Sequence, residues 1–185
     1  MEVMPSSAVA WSHVILDRRM TSENVAVDLT SGNGKDTLFL ARRAARVVAF
    51  DIQRAAIENT ASLLRSQGIE NVELVCDSHE YIERYVDPEA VDVFVMNLGY
   101  LPKGDKSVTT MWETTKKTVD TILGAMKKGA LLSICIYPGH DEGRRESIGL
   151  AERIEALNQR DFRVSRIQFP NQRHDPPYWI GIERC

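Results

Sequence analysis

The sequence predicts an α/β fold: a mostly parallel seven-stranded sheet, helices on both faces, and an antiparallel strand near the C-terminal end. Three observations predict it. Short β-branched or apolar runs alternate with helical patterns along most of the 185 residues, as in a parallel sheet covered on both sides. The first run passes through a turn with two glycines directly into an apolar helix. The last two runs are joined by a polar turn too short for a helix, so they pair antiparallel.

The elements follow in order. Residues 7–20 place Val9, His13, Leu16 and Met20 at helical spacing. Strands are expected at 25–29, 46–50, 72–76, 91–96 and 130–137. Helices are expected between and after them at 35–45, 53–67 (closed by Gly68), 78–85, 108–127 and 145–159. Residues 162–169 and 177–183 are the closing strands, joined through Pro170-Asn-Gln-Arg-His-Asp-Pro-Pro177. No repeat, low-complexity segment or linker interrupts this order, so 1–185 reads as a single domain. Residues 1–22 then form a helix that caps the ligand site.

Composition narrows the class. Hydrophobic content of 43% and charged content of 26% are those of a globular protein. No apolar run approaches the roughly 20 residues of a membrane span, and the first residues lack a signal-peptide pattern. Cys76, Cys135 and Cys185 show no metal-ligand spacing and read as reduced thiols in a cytoplasm. The net charge of −3 argues against broad polyanion binding, but it is unevenly placed. Residues 1–96 carry −6 and residues 97–185 carry +3, which leaves room for a basic face in the C-terminal half. A homodimer is compatible with this composition.

In such a sheet, ligands sit beyond the C-terminal strand ends at the topological switch point. The first strand leads through Asp28-Leu-Thr-Ser-Gly-Asn-Gly-Lys-Asp-Thr37. Gly32 and Gly34 let a ligand approach the backbone, and the helix beyond offers unpaired N–H groups. A dinucleotide loop would need a third glycine where Thr37 stands, and Asn33, Lys35 and Asp36 crowd the turn. The loop therefore points to S-adenosylmethionine. Asp28 orients the methionine ammonium or caps the turn. Asp51, about 20 residues past the loop, accepts from ribose hydroxyls or caps the next helix. Asp77 and Ser78 reach the adenine amine or start a helix; His79 beside them is packed or functional.

The fourth strand runs into Asn97-Leu-Gly-Tyr-Leu-Pro-Lys-Gly-Asp-Lys106. The Asn97 side-chain carbonyl and a following backbone carbonyl can accept from a nitrogen nucleophile, with Tyr100 as a stacking face. An ordinary turn rich in Asn, Gly and Pro is the alternative. The fifth strand ends in Tyr137-Pro-Gly-His140. His140 serves as base or binds substrate; Arg144 and Arg145 contact phosphate or form a solvated helix face.

These segments together closely resemble the YtqB-like rRNA methylase family, which is linked to tRNA 5-aminomethyl-2-thiouridine methyltransferases. The resemblance runs from Ser12-His13 to Pro176-Pro177, with departures at Leu29, Ser31 and Lys103. It implies a class I S-adenosylmethionine-dependent methyltransferase fold and methyl transfer to the aminomethyl nitrogen of wobble uridine. It also implies docking of a tRNA anticodon stem-loop. Cofactor contacts are expected from Asp28, Thr30, Gly32, Asn33, Gly34, Asp36, Thr37, Asp51, Gln53, Asp77, Ser78, His79, Asn97 and Leu98. The acceptor side is expected from Leu98, Gly99, Tyr100, Leu101, Pro102, Asp105, Lys106, Tyr137, Arg144 and Arg145, with Asn97, Tyr100 and His140 as catalytic candidates. Alternatives are a methyltransferase acting on rRNA or another amine, an NAD(P)-dependent oxidoreductase and a non-catalytic RNA-binding module. The missing third glycine opposes the oxidoreductase, and the full set of polar strand ends opposes an idle module.

Overall fold

The computed structural model describes residues 4–100 and 108–185. In chain order the elements are α1 (Ala8–Arg19), β1 (Val25–Asp28), α2 (Lys35–Ala41), β2 (Arg46–Phe50), α3 (Arg54–Ser66) and β3 (Val72–Val75). Two 3-10 turns (His79–Arg84 and Pro88–Ala90) lead to β4 (Val93–Asn97), α4 (Trp112–Ala125), β5 (Leu131–Ile136), α5 (Asp141–Glu155), β6 (Phe162–Ile167) and β7 (Tyr178–Arg184). One sheet has the order β3-β2-β1-β4-β5-β7-β6. Strands β1 to β5 pair parallel, and β7 runs antiparallel between β5 and β6. The expected sheet is present, with its switch point between β1 and β4.

Four elements depart from expectation: α2 stops at Ala41 rather than 45, and α4 runs Trp112–Ala125 rather than 108–127. Residues 78–85 form not an α-helix but a 3-10 segment with a kink at Tyr81. Helix α5 begins at Asp141 rather than 145, because the His140 imidazole caps it by accepting from the Gly143 N–H. Asp141 and Glu142 then sit in the first turn, where the helix dipole favours carboxylates.

The pleat sends alternate residues to opposite faces. Val48, Phe50, Phe94, Met96, Leu132 and Ile134 pack on the face holding Val119 and Ile122 of α4 and Leu150 of α5. Ala26, Val47, Val93, Val95 and Leu131 face Leu16 of α1 and Leu40 of α2. One buried polar chain links the layers: the Trp179 indole N–H donates to Ser133 Oγ at 2.8 Å, and Ser133 bonds Ser12 of α1 at 2.8 Å. Among the described residues no helix is long and apolar enough to cross a membrane.

Glu146 of α5 is wholly buried and ties three segments together. Its carboxyl accepts from Thr115 of α4 at 2.6 Å and from Thr110 at 2.9 Å. The Thr110 hydroxyl in turn accepts the Gly99 N–H at 2.8 Å, and the Thr110 N–H donates to the Gly99 carbonyl. The turn after β4 is therefore fastened to the helical layer. Burial, the dominant cause, pushes the Glu146 carboxyl up to about 7 from 4.5 despite the two hydroxyl donors.

Two outcomes are expected. A raised folded-state pKa means that Glu146 favours folding most fully below about 4.5, and that this contribution is lost as pH rises through about 7. Denaturant unfolding across that window should show the loss, and Glu146→Gln should flatten the profile there. Gly149→Ala should cost about 1–3 kcal/mol, because a Cβ there would lie 2.3 Å from the Trp112 ring; urea melts measure it.

Candidate active site

A cleft of about 900 Å³ opens at the C-terminal ends of β1, β2 and β4, where the switch point places a ligand. Its walls include Thr30, Gly32, Asn33, Asp36, Asp51, Gln53, Asp77, Ser78 and His79. Asn97, Leu98, Gly99, Tyr100, Tyr137 and His140 also line it. One site thus gathers most of the expected residues. Leu101, Pro102, Asp105 and Lys106 lie outside the described residues.

Three expected ligand contacts stand beneath this cleft instead. Asp28 is wholly buried, accepting from the Thr30 N–H at 3.1 Å and from the Thr37 hydroxyl at 2.6 Å. Burial, with Asp36 nearby, pushes its carboxyl up to about 7. Asp28 and Thr37 are therefore the floor under the glycine loop, because their polar atoms are spent on each other. Gly34, at φ 79°, starts α2; a Cβ there would lie 2.9 Å from Thr60 of α3. Helix packing as well as backbone conformation demands glycine there. Gly32, also at positive φ, does line the cleft.

Asp51 ends β2 and holds the loop from the other side. It accepts from the Gly32 N–H and the Gln53 N–H, both at 2.9 Å, and burial raises its pKa. Asp77 is held by the Tyr85 hydroxyl at 2.7 Å and the Ser78 N–H, which lower its pKa. His79 is buried against Thr118 at 2.7 Å. Because the Thr118 hydroxyl donates to the Thr114 carbonyl, it must accept from His79 Nδ1–H. Burial lowers the pKa of His79 to about 4, so the ring is neutral.

On the acceptor side, Asn97 ends β4. Its N–H donates to Thr30 Oγ1 at 2.8 Å and its side-chain nitrogen donates to Asp36 Oδ2. Asp36 Oδ1 also binds His13 of α1 at 2.6 Å, and His13 stacks on Phe39 at 4.0 Å. This orientation leaves the Asn97 side-chain carbonyl as the acceptor turned away from Asp36. Tyr100 is 39% exposed, and its ring lies 5.7 Å from that of His140.

His140, expected as base or substrate-binding residue, is also the cap of α5. Its Nδ1 accepts the Gly143 N–H at 3.1 Å, so the neutral ring carries its proton on Nε2. That nitrogen is buried without a partner among the described residues, and in this tautomer it is a donor available to a ligand. Arg145 is 63% exposed and paired with Glu142, away from the cleft walls. Arg144 lines a neighbouring cavity. Tyr137 is held protonated by burial, its pKa pushed up to about 12.

Sequence reasoning missed His13, Ile52, Thr109 and Thr110. His13 was legible only as part of a helix face, and its pairing with Asp36 spans 23 positions. Ile52 is 55% exposed at the cleft, next to Asp51. Its signal was an apolar residue directly after a strand-end carboxylate. Among the described residues no cluster has the makings of a metal site.

Known proteins share this fold and much of this sequence. The family model described as "Putative rRNA methylase" matches residues 47–183. A crystal structure from Clostridium thermocellum with the same description has 34% identity and TM-score 0.94, covering 99% of this chain and 100% of that one. A Streptococcus mutans protein solved in complex with SAH has 34% identity and TM-score 0.91, covering 98% and 100%. The chloroplastic tRNA (mnm(5)s(2)U34)-methyltransferase of Arabidopsis thaliana is 35% identical over 75% of this chain. The match spans 56% of that plant protein, little more than half its length. The sheet order, with antiparallel β7 between β5 and β6, is the class I S-adenosylmethionine-dependent methyltransferase fold. With that fold and the family model matched over most of its length, the chain belongs to the rRNA methylase family.

Proposed function

We propose that this chain transfers the methyl group of S-adenosylmethionine to the aminomethyl nitrogen of wobble uridine in tRNA, converting 5-aminomethyl- to 5-methylaminomethyl-2-thiouridine. The observation that carries the reading is Asn97: its side-chain nitrogen is committed to Asp36, leaving its carbonyl as an acceptor on the cleft wall. The name of the Arabidopsis relative supports the choice of amine, and the SAH bound to the Streptococcus mutans neighbour supports the donor.

The cleft residues fit that donor. Gly32 brings backbone to the wall, and Ser31 Oγ is buried without a partner among the described residues. Asp51 is aligned by two backbone N–H groups yet keeps further lone pairs for ribose hydroxyls. Ile52 offers an apolar face for a purine, with Asp77 and Ser78 for its edge. S-adenosylmethionine, when bound, supplies an already activated methyl group.

The protein's own task is then positioning. The Asn97 carbonyl accepts an N–H of the substrate amine and aims its lone pair. Asp36 and His13 hold the Asn97 amide in register, and Glu146, through Thr110, holds the Gly99 backbone beside it. A primary alkyl amine near pKa 10.4 is mostly protonated at neutral pH, and desolvation in the cleft favours its neutral form. His140 Nε2–H donates rather than accepts, so the amine proton leaves to solvent.

Mass spectrometry of tRNA nucleosides, after incubation with protein and labelled S-adenosylmethionine, tests the assignment. New label on the aminomethyl uridine is expected; label only on another nucleoside would overturn the substrate. Asn97→Ala should lower kcat on the order of 100-fold while calorimetry finds cofactor affinity retained. Unchanged turnover would remove Asn97 from the mechanism.

A further inference from the structure

A second cavity of about 410 Å³ adjoins the cleft, lined by Pro138, Arg144, Arg166, Gln168, Phe169 and Gln172 among others. Asp175 lines both spaces, so one opens beside the other. We propose that this cavity is a subsite for a phosphodiester of the RNA whose base enters the cleft. The inference rests on the RNA substrate proposed above.

A base inserted into a pocket brings the phosphates flanking its nucleotide to the pocket's rim. The cleft itself is hostile to them, since Asp36, Asp51 and Asp77 all line it. Lys35 is its one lining Lys or Arg among the described residues, and it lies at the glycine loop. The neighbouring cavity has the opposite character. Arg144 comes from α5, near its N-terminus, and Arg166 from the sheet-edge strand β6. Two arginines from separate elements thus converge on one space, with two glutamine side chains beside them as further donors.

Neither guanidinium is strongly committed elsewhere. Arg144 meets Asp175 at 3.3 Å, with both side chains about 60% exposed, and such a pair is weak. A phosphate can replace Asp175 at little cost. Arg166 lies over the Tyr178 ring at 4.1 Å, which orients the planar fork, and it pairs with no carboxylate among the described residues. A bidentate fork matches phosphate geometry. Asp175 then acts as a placeholder that keeps Arg144 at the boundary between cavity and cleft until RNA arrives.

Fluorescence anisotropy with an anticodon stem-loop RNA, over a range of salt concentrations, tests this together with tRNA methylation kinetics. Arg144→Glu and Arg166→Glu should each weaken RNA binding and raise KM for tRNA about tenfold, with the slope of log K against log salt reduced by about one. Asp175→Asn should tighten binding. Calorimetry with S-adenosylmethionine and a thermal melt check that each variant is folded, and Arg166→Gln repeats the test without reversing charge. Wild-type affinity, KM and salt slope in the folded arginine variants would overturn the subsite, while wild-type methylation of tRNA would leave the proposed function intact. Absence of wild-type methylation would overturn that function, and anisotropy would still decide the subsite.

Discussion

Asp36 stands between His13 of α1 and Asn97 at the end of β4, and its carboxylate oxygens accept from both. That contact joins the first helix, the helix after the glycine loop and the acceptor strand at one point. Because the acid takes the amide nitrogen, the Asn97 carbonyl has only one way to face. The stacking of His13 on Phe39 fixes the other end. The acceptor half of the cleft depends on this arrangement, since a side-chain amide free to turn over would present donor and acceptor alternately.

Two other carboxyls serve the same site without touching it. Asp28 lies under the glycine loop and Glu146 under the turn after β4, each buried and each held by threonine. Desolvation raises both to about 7. A carboxyl that retains its proton toward neutrality avoids much of the cost of a buried charge. The cleft thus has its donor and acceptor halves each fastened from below.

The repeating strand–helix pattern was legible because burial of a parallel strand needs a continuous apolar run, as in Val93-Phe-Val-Met96. Strand-end residues such as Asp51, Asp77 and Asn97 were legible because the end of each run marks where its backbone leaves the sheet. Less legible was the start of α5. Gly143 reads locally as a helix-breaking residue, yet its missing Cβ leaves room for the Tyr137 carbonyl and the His140 ring. The loop residues divide in the same way. Gly32 and Gly34 look alike in sequence, but one faces the cleft and the other packs on Thr60.

The sequence by itself determined the sheet, its antiparallel closing strand and the strand ends at which polar residues gather, since these follow from periodicity within short segments. Only the tertiary structure decided which polar residues face a ligand. Asp28 and Thr37 are consumed by each other, His140 Nδ1 is taken by its own helix while Nε2 stays on the cleft side, and Asn97 is oriented by Asp36. The physical reason is that a hydrogen-bonding group is free for chemistry only after its neighbours' demands are met. Those neighbours lie on other elements, with Asp36 and Asn97 61 positions apart.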